Sequence, residues 1–320
     1  MLRLILRRVA VSIVMLAINS VLIFVVLRLL PGDPVMTRLG ATPGISDETL
    51  NRLRAQAGLD DPIAVQYFRW VGGILHGDFG NSYFNQFSVT ELISQRLPAT
   101  LELTLIAILF TVALAVPGAL LAARRPRGIA DRIITTLASA GMALPQFLVG
   151  LLLIVVFAVK LKWLPSRGYT PISESLSANL RGLVLPSLTL AIAAAPLLLR
   201  FLRASLLEVL DAPYIRTAIG KGVPSRRVLA DHALSNSLIP GLTMLGLIIG
   251  YTLGGVVIIE YIFGLPGLGA LAVDAVLKRD YAVLQSAVLL ISAMFILTTL
   301  LVDVLTGVLD PRLRAEARRG

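Results

Sequence analysis

The sequence predicts an all-α integral membrane protein with six transmembrane helices, on three observations. Of its 320 residues, 56% are hydrophobic and only 15% charged, with a mean hydropathy of +0.84; soluble domains run at about 45–50% apolar and about 25% charged. Six stretches supply the roughly 20 apolar residues that a helix needs to cross hydrocarbon: 9–30, 98–123, 133–159, 183–202, 240–263 and 285–308. Basic residues crowd one side of these spans, 17 against 6 acidic, while the opposite loops hold 11 against 10. A water-soluble globule and a disordered polar chain are excluded. With no cysteine, disulfides, thiolate metal sites and cysteine nucleophiles are excluded together, and two histidines, His76 and His232, make a histidine-built metal centre a poor reading. The net charge of +10 reports membrane topology rather than nucleic-acid binding.

The first span follows Arg3, Arg7 and Arg8. Its apolar run over 9–27 is longer than a signal-peptide core, and no small-residue cleavage site follows, so it reads as a retained helix. The basic excess lies in the N-terminal arm, the 124–132 loop, the 200–238 segment and the tail, which makes both termini cytoplasmic. One loop runs the other way: 160–182 carries Lys160, Lys162, Arg167 and Arg181 against Glu174 alone. This organisation gives an arm and first span over 1–30, an extracytoplasmic helical loop over 31–97, a transmembrane core over 98–312 and a tail over 313–320.

Within the outer loop, Ser46 is placed to cap a helix with Asp47 and Glu48 in its first turn and Gly58 as its stop. Asp61-Pro62 opens a second helix, whose Ile63, Tyr67, Phe68, Trp70, Val71, Ile74 and Leu75 form a broad apolar face for the membrane surface or another subunit. Ser88-Val89-Thr90-Glu91 reads as a capping box ahead of the second span.

Ionisable residues in a span are costly and therefore informative. The acids among them are Glu102, Glu260 and Asp303, each near a span end, and each reads as an interfacial carboxylate. Pro117, Pro145, Pro186 and Pro196 interrupt the second to fourth spans and are placed to kink them. Gly246, Gly250 and Gly254 recur every four residues and fall on one face of the fifth, where another helix can approach closely. Ordinary packing and a movable seam lining a pathway both fit that stripe, and Pro145 and Pro196 join it as candidates for the same roles.

The longest cytoplasmic stretch, 200–238, has its own helix punctuation. Pro213 suits a helix start, Gly220 and Gly222 a stop, and Pro224-Ser225 the start of another helix running toward Pro240. A short exposed helix bearing Tyr214 and Ile215 suits a docking element.

These residues carry a resemblance. Tyr214-Ile215-Arg216-Thr217-Ala218, Lys221-Gly222, His232-Ala233-Leu234, Asn236 and Leu238-Ile239-Pro240 resemble the cytoplasmic signature of ABC importer permeases. Against that family's Glu-Ala-Ala…Gly…Ile-x-Leu-Pro pattern, Arg216, Thr217 and Ala218 stand for Glu-Ala-Ala and His232 for Ile. Leu234 is retained and Ser235 replaces Pro. These departures are similar to those of the peptide/nickel subfamily, in its first permease subunit.

Further motifs agree in order: Leu30-Pro31-Gly32-Asp33-Pro34, Gly58-Leu59-Asp60, Gly77-Asp78-Phe79-Gly80 with Ser82, and Leu97-Pro98-Ala99-Thr100-Leu101-Glu102. Glu260 with Phe263-Gly264 and Pro266-Gly267, Arg279-Asp280-Tyr281, and Leu309-Asp310-Pro311-Arg312 complete them.

The resemblance implies a type I importer permease fold in a bacterial plasma membrane. It implies as partners a second homologous permease, two P-loop ATPases that bind ATP and Mg, and an extracytoplasmic binding protein. This chain would bind no cofactor itself. Tyr214, Ile215, Arg216, Thr217, Ala218, Lys221, Gly222 and His232 would form the ATPase-coupling site. Dipeptides or oligopeptides are the implied cargo, with nickel or another small chelate as the alternative and glutathione-like peptides and opines also open. The chain has no phosphate-binding G-x-x-x-x-G-K-[S/T] run of its own, so energy must come from a partner or an ion gradient. An ion-coupled secondary transporter, the rival class, calls for repeated halves and an acid at mid-depth, and neither is legible.

Overall fold

The computed structural model describes residues 2–29, 47–56, 58–224 and 227–309. The proposed cap Ser46, the Leu30-Pro31-Gly32-Asp33-Pro34 motif, Ser225 and the 310–320 tail lie outside the described residues.

Helix α1 (Leu2–Leu29) is the first span. Two short helices follow, α2 (Asp47–Gln56) and α3 (Ile63–Leu75), and α3 docks on α1. The Tyr67 ring meets Phe24 edge-on at 5.4 Å, the Trp70 ring stacks on Phe24 at 5.8 Å, and the Tyr67 hydroxyl hydrogen-bonds Ser20 at 2.9 Å. The apolar face of α3 is thus divided: Tyr67 and Trp70 face α1, while Ile63, Phe68 and Leu75 remain exposed.

Helix α4 (Val89–Arg124) begins nine residues before the predicted span, and Pro98 and Pro117 lie inside it. Ser88 occupies the cap position but makes no side-chain capping bond, so the capping box does not form. At 36 residues α4 runs about 54 Å, well beyond the roughly 30 Å of hydrocarbon.

The third span is broken. Helices α5 (Ile129–Ala143) and α6 (Gln146–Leu153, continued by wide π turns over Ile154–Lys160) meet at an angle of 104°. Pro145 causes the break: Leu144 before it is extended (φ −85°, ψ 129°), as the residue ahead of a proline prefers, and Pro145 caps α6. The other span prolines, Pro117, Pro186 and Pro196, sit within single unbroken helices. Pro186 and Pro196 are buried, but Pro117 is exposed like Pro145 and its helix still runs on, so burial alone does not set Pro145 apart.

Helix α7 (Leu176–Leu210) is the most enclosed span. Its Ala194, Ala195, Leu198 and Leu202 pack against Ala115, Ala119 and Ala123 of α4, with Ala138 of α5 alongside. Alanines on both helices let the backbones approach, the usual basis of helix association in a membrane. A short helix, α8 (Pro213–Gly220), follows it.

Helix α9 (Ser235–Phe263) is led in by π turns over Val228–Leu234 and runs through Pro240 without interruption. The boundary expected near Leu238 and Pro240 is therefore absent. Helix α10 (Leu268–Leu277), too short to span, packs with α11 (Tyr281–Leu309), α1 and the start of α4 around Leu27, Val89, Leu268, Leu271 and Ala287. Among the described residues five helices are long and apolar enough to cross a membrane, and the broken pair brings the number to six.

Candidate functional site

Helix α8 is built as the punctuation requires. Pro213 occupies its first turn, and Gly222, at φ +82°, makes the left-handed turn that ends it. Ile215 is fully buried and Ala218, one turn on, is half-buried. These two fasten α8 to the protein beside the π turns that lead into α9, where Val228 and Ala233 are also buried. Tyr214 (49% exposed), Arg216, Thr217, Ile219 and Lys221 face outward. An exposed surface with an aromatic, an aliphatic and two cations, on a helix held by Ile215 and Ala218, can seat a partner without being part of the core.

Seven of the eight predicted coupling residues, from Tyr214 to Gly222, fall on this helix and its closing turn. His232 does not. It lies half-buried in the π turns before α9, and its carbonyl accepts from the Asn236 amide at 2.6 Å.

The predicted glycine seam is only partly a packing seam. A side chain at Gly246 would meet Val302 of α11, at 3.0 Å for the nearest atom, and one at Gly250 would run into the Phe295 ring. Gly254 faces open space; its neighbour Gly255 lies against the Gln146 side chain at the start of α6. The exposed Gly254 shares a face of α9 with Leu247, Tyr251, Ile258 and Tyr261, all exposed. Pro196 lies against Gly141 of α5, at 3.3 Å from the position a side chain would take there. Gln146, the residue after Pro145, and Gly255 therefore meet where the broken span turns, and the two glycines facing α11 hold the opposite side of α9.

The carboxylates are the main correction to the sequence reading. Glu260 is not interfacial: it is 0% exposed. Its carboxylate accepts from the Thr100 hydroxyl at 2.6 Å and from the N–H groups of Gly269 and Ala270 at 2.7 and 3.0 Å. It thereby caps α10 while tying it to α4 and α9, and Thr100 in turn accepts from the Leu268 N–H at 2.8 Å. Glu102 accepts from the Tyr169 hydroxyl at 3.0 Å and the Asn179 amide at 2.7 Å. Burial and the Glu102 carboxylate push the Tyr169 phenol up to about 12. Asp303 pairs with Arg8 at 2.7 Å, joining the first span to the last.

Two further ties had no sequence signal for their pairing. Asp131 pairs with Arg203, and Asp280 accepts from the Ser82 hydroxyl and from the Tyr83 N–H at 3.1 Å, fastening the outer loop to the head of α11. Asp131 was visible as the single acid in an arginine-rich loop, a pattern that calls for a partner without naming it.

Residues 115–315 match the family described as binding-protein-dependent transport system inner membrane component, and residues 1–104 match its N-terminal companion. A probable peptide ABC transporter permease of Sinorhizobium fredii is 39% identical over 310 residues, covering 97% of this chain and 98% of that protein. A putative peptide transport system permease of Brucella abortus is 40% identical over 313 residues (98% and 99%). The glutathione transport system permease GsiC of Salmonella paratyphi A is 42% identical over 318 residues (98% and 99%). Among solved structures, a chain of the MetNI methionine ABC transporter superposes with a TM-score of 0.57 at 18% identity, covering 68% of this chain and 96% of that one. With five or six apolar spans in this fold and no catalytic subunit among those relatives, the chain belongs to the binding-protein-dependent transport system inner membrane components, as a multi-pass inner-membrane permease of an ABC importer with the type I fold.

Proposed function

We propose that this permease carries peptides inward, forming half of a pathway with a second, homologous permease. Two cytoplasmic ATPases that bind ATP and Mg drive it, and an extracytoplasmic binding protein delivers the cargo. In this reading both termini and the 200–238 segment are cytoplasmic, 31–97 is extracytoplasmic, and 98–312 forms the permease core. The basic excess on the cytoplasmic side supports that orientation. The peptide assignment is supported by relatives named peptide and glutathione permeases, which favour it over nickel.

The observation that carries the mechanism is the division of α8: Ile215 is buried in the protein, and Tyr214, Arg216 and Ile219 stand outside it. Helix α8 lies between α7 and α9, the two spans that follow the broken one. A push delivered to α8 by closing ATPases therefore enters both helices through one rigid contact. For transport, that push must select between two arrangements of the bundle, because a partner shifts an equilibrium only by differential contact with its states.

The test begins with a pull-down of the tagged chain in mild detergent. Recovery of a homologous permease and P-loop ATPases in comparable amounts, with Tyr214→Cys crosslinking to an ATPase subunit, supports the scheme. The co-purified binding protein is then titrated with dipeptides, glutathione and nickel. Recovery of the chain alone, with uptake that collapses under a protonophore and survives ATP depletion, overturns it.

A further inference from the structure

The loop 160–182 holds four basic residues against one acid, on the side where the topology calls for none in excess. Coupling through α8 gives these charges no role. Three of the four surround a single cavity of about 680 Å³ at the end of the broken span. Lys162, Trp163, Arg167 and Tyr169 come from the loop, Ala158 from the span, and Arg181 from α7. That volume lies in the range of small-molecule sites, about 300–1,000 Å³.

Among the described residues no carboxylate pairs with Lys162, Arg167 or Arg181. Arg181 donates to the Trp163 carbonyl at 3.3 Å, which orders the rim without neutralising it. Glu102, which accepts from the cavity-lining Tyr169, is also held by Asn179. Two features show the rim as built rather than frayed. Lys162 sits at φ +54°, a left-handed conformation that a lysine adopts only when its surroundings impose it, and backbone bonds from Trp163 to Phe157 (2.9 Å) secure the turn. Arg167 lies against Gly264, 3.3 Å from the position a side chain would occupy there.

Like charges in a concavity focus a positive potential, so the site selects an anion. One part of the lining is apolar, Ala158, Leu164 and Pro165, with Trp163 (61% exposed) at the level where a span gives way to loop, while Ser166, Tyr169 and Thr170 add neutral polar groups. Tryptophan at that depth marks the headgroup boundary. A ligand that satisfies both halves carries an oxyanion on one end and hydrocarbon on the other.

We propose that this cavity binds the phosphodiester headgroup of an anionic phospholipid, with Lys162, Arg167 and Arg181 around the phosphate and Trp163 against the glycerol and first acyl carbons. The site is independent of the cargo and of α8; the proposed orientation enters in marking the loop's charge as out of place and in assigning the site to the outer leaflet.

Native mass spectrometry of the assembled complex tests this, with short-chain phosphatidylglycerol, phosphatidylcholine and inorganic phosphate as separate probes. Phosphatidylglycerol is expected to bind at least about tenfold more tightly than phosphatidylcholine. Each of Lys162→Gln, Arg167→Gln and Arg181→Gln should weaken it roughly fivefold, and the triple variant on the order of a hundredfold. If the triple variant fails to assemble, Lys162→Gln alone, at an exposed position, retains the prediction. Equal binding of both lipids, or a Lys162→Gln complex that binds as wild type does, overturns the proposal. Displacement of phosphatidylglycerol by inorganic phosphate at equal concentration reassigns the site to a free anion and overturns the lipid, and displacement by a cargo peptide does the same.

Discussion

Arg203, near the α8 end of α7, holds Asp131, in the first turn of α5, through two parallel hydrogen bonds of 2.6 and 2.7 Å. Asp131 is 4% exposed and also accepts the Arg127 N–H at 2.8 Å. The pair fastens one half of the broken span to the helix that leads into α8, so that any displacement of α8 reaches α5 through a charged clamp as well as through the alanine packing above it.

Arg203→Ala should therefore be costly, because it leaves a buried carboxylate without its partner; about 3 kcal/mol is the expected loss. Asp131→Ala together with Arg203→Ala should cost less than the two single changes added, since neither charge is then stranded. Thermal unfolding of the four proteins in one detergent measures the cycle. Strict additivity would show that the pair contributes nothing.

Glu260 is expected to act as the clasp of α10. In Glu260→Gln the side chain keeps its size but points an N–H₂ group toward donors, so a buried N–H loses its acceptor, at about 2 kcal/mol. Thr100→Val removes both a donor to Glu260 and the acceptor of the Leu268 N–H, and should loosen the same helix. Hydrogen exchange resolved by peptide should quicken across Leu268–Leu277 in both variants while α7 keeps its protection. Unchanged exchange in α10 would remove Glu260 from this role.

What the sequence disclosed, and what it withheld, divides along these contacts. The spans were legible because hydrocarbon imposes length and composition on each one separately. Helix α8 was legible because Pro213 and Gly222 act locally, through φ alone. Pro145 and Pro196 were singled out among four span prolines that carry the same local signal, and only at Pro145 does the span break. Glu260 was misread because its distance from Gly264 suggests a span end; the short apolar helix α10 folds back over it and removes the water. Asp131 and Arg203 are 72 positions apart, and Thr100 and Glu260 160 apart, and nothing in one sequence says which acid meets which donor.

The glycines of α9 should differ sharply although their spacing is uniform. Gly250→Val drives a branched side chain into the Phe295 ring and should destabilise the permease by about 2 kcal/mol, the usual cost of overpacking. Gly254→Ala meets no neighbour in this chain and should be neutral or stabilising by up to about 1 kcal/mol, since alanine is the better helix former. Thermal melts of the isolated chain read both. Equal losses at the two positions would mean that Gly254 also faces α11.

Tyr169 gives the loop an alkaline limit. Its phenol is raised from 10.0 to about 12, so the fold favours the protonated form that donates to Glu102. That contribution is intact below about pH 10 and fades as the pH rises through 12. Tyr169→Phe should lower stability at neutral pH and flatten the loss between pH 10 and 12. Melting curves at stepped pH decide it, and a variant as steep as wild type there assigns the alkaline loss to other groups.

The α8 reading makes the sharpest demand, because it requires function to fail where the fold does not. Arg216 is exposed and without an ion pair among the described residues, so Arg216→Glu should alter stability by no more than about 0.5 kcal/mol. Gly222 has open space where a side chain would go, so its substitution carries only the left-handed backbone cost of about 1–2 kcal/mol. Gly222→Asp adds a charge beside the proposed docking surface at that same small cost. Ile215→Asp differs in kind: it buries a carboxylate where the anchor was and should detach α8 altogether. The expected pattern is therefore near-normal melting and membrane levels for Arg216→Glu and Gly222→Asp with ATP-driven peptide uptake abolished, against a lowered melting temperature for Ile215→Asp. Uptake at wild-type rates in both of the first two variants would place the coupling contact elsewhere on the 200–238 segment, whatever Ile215→Asp does.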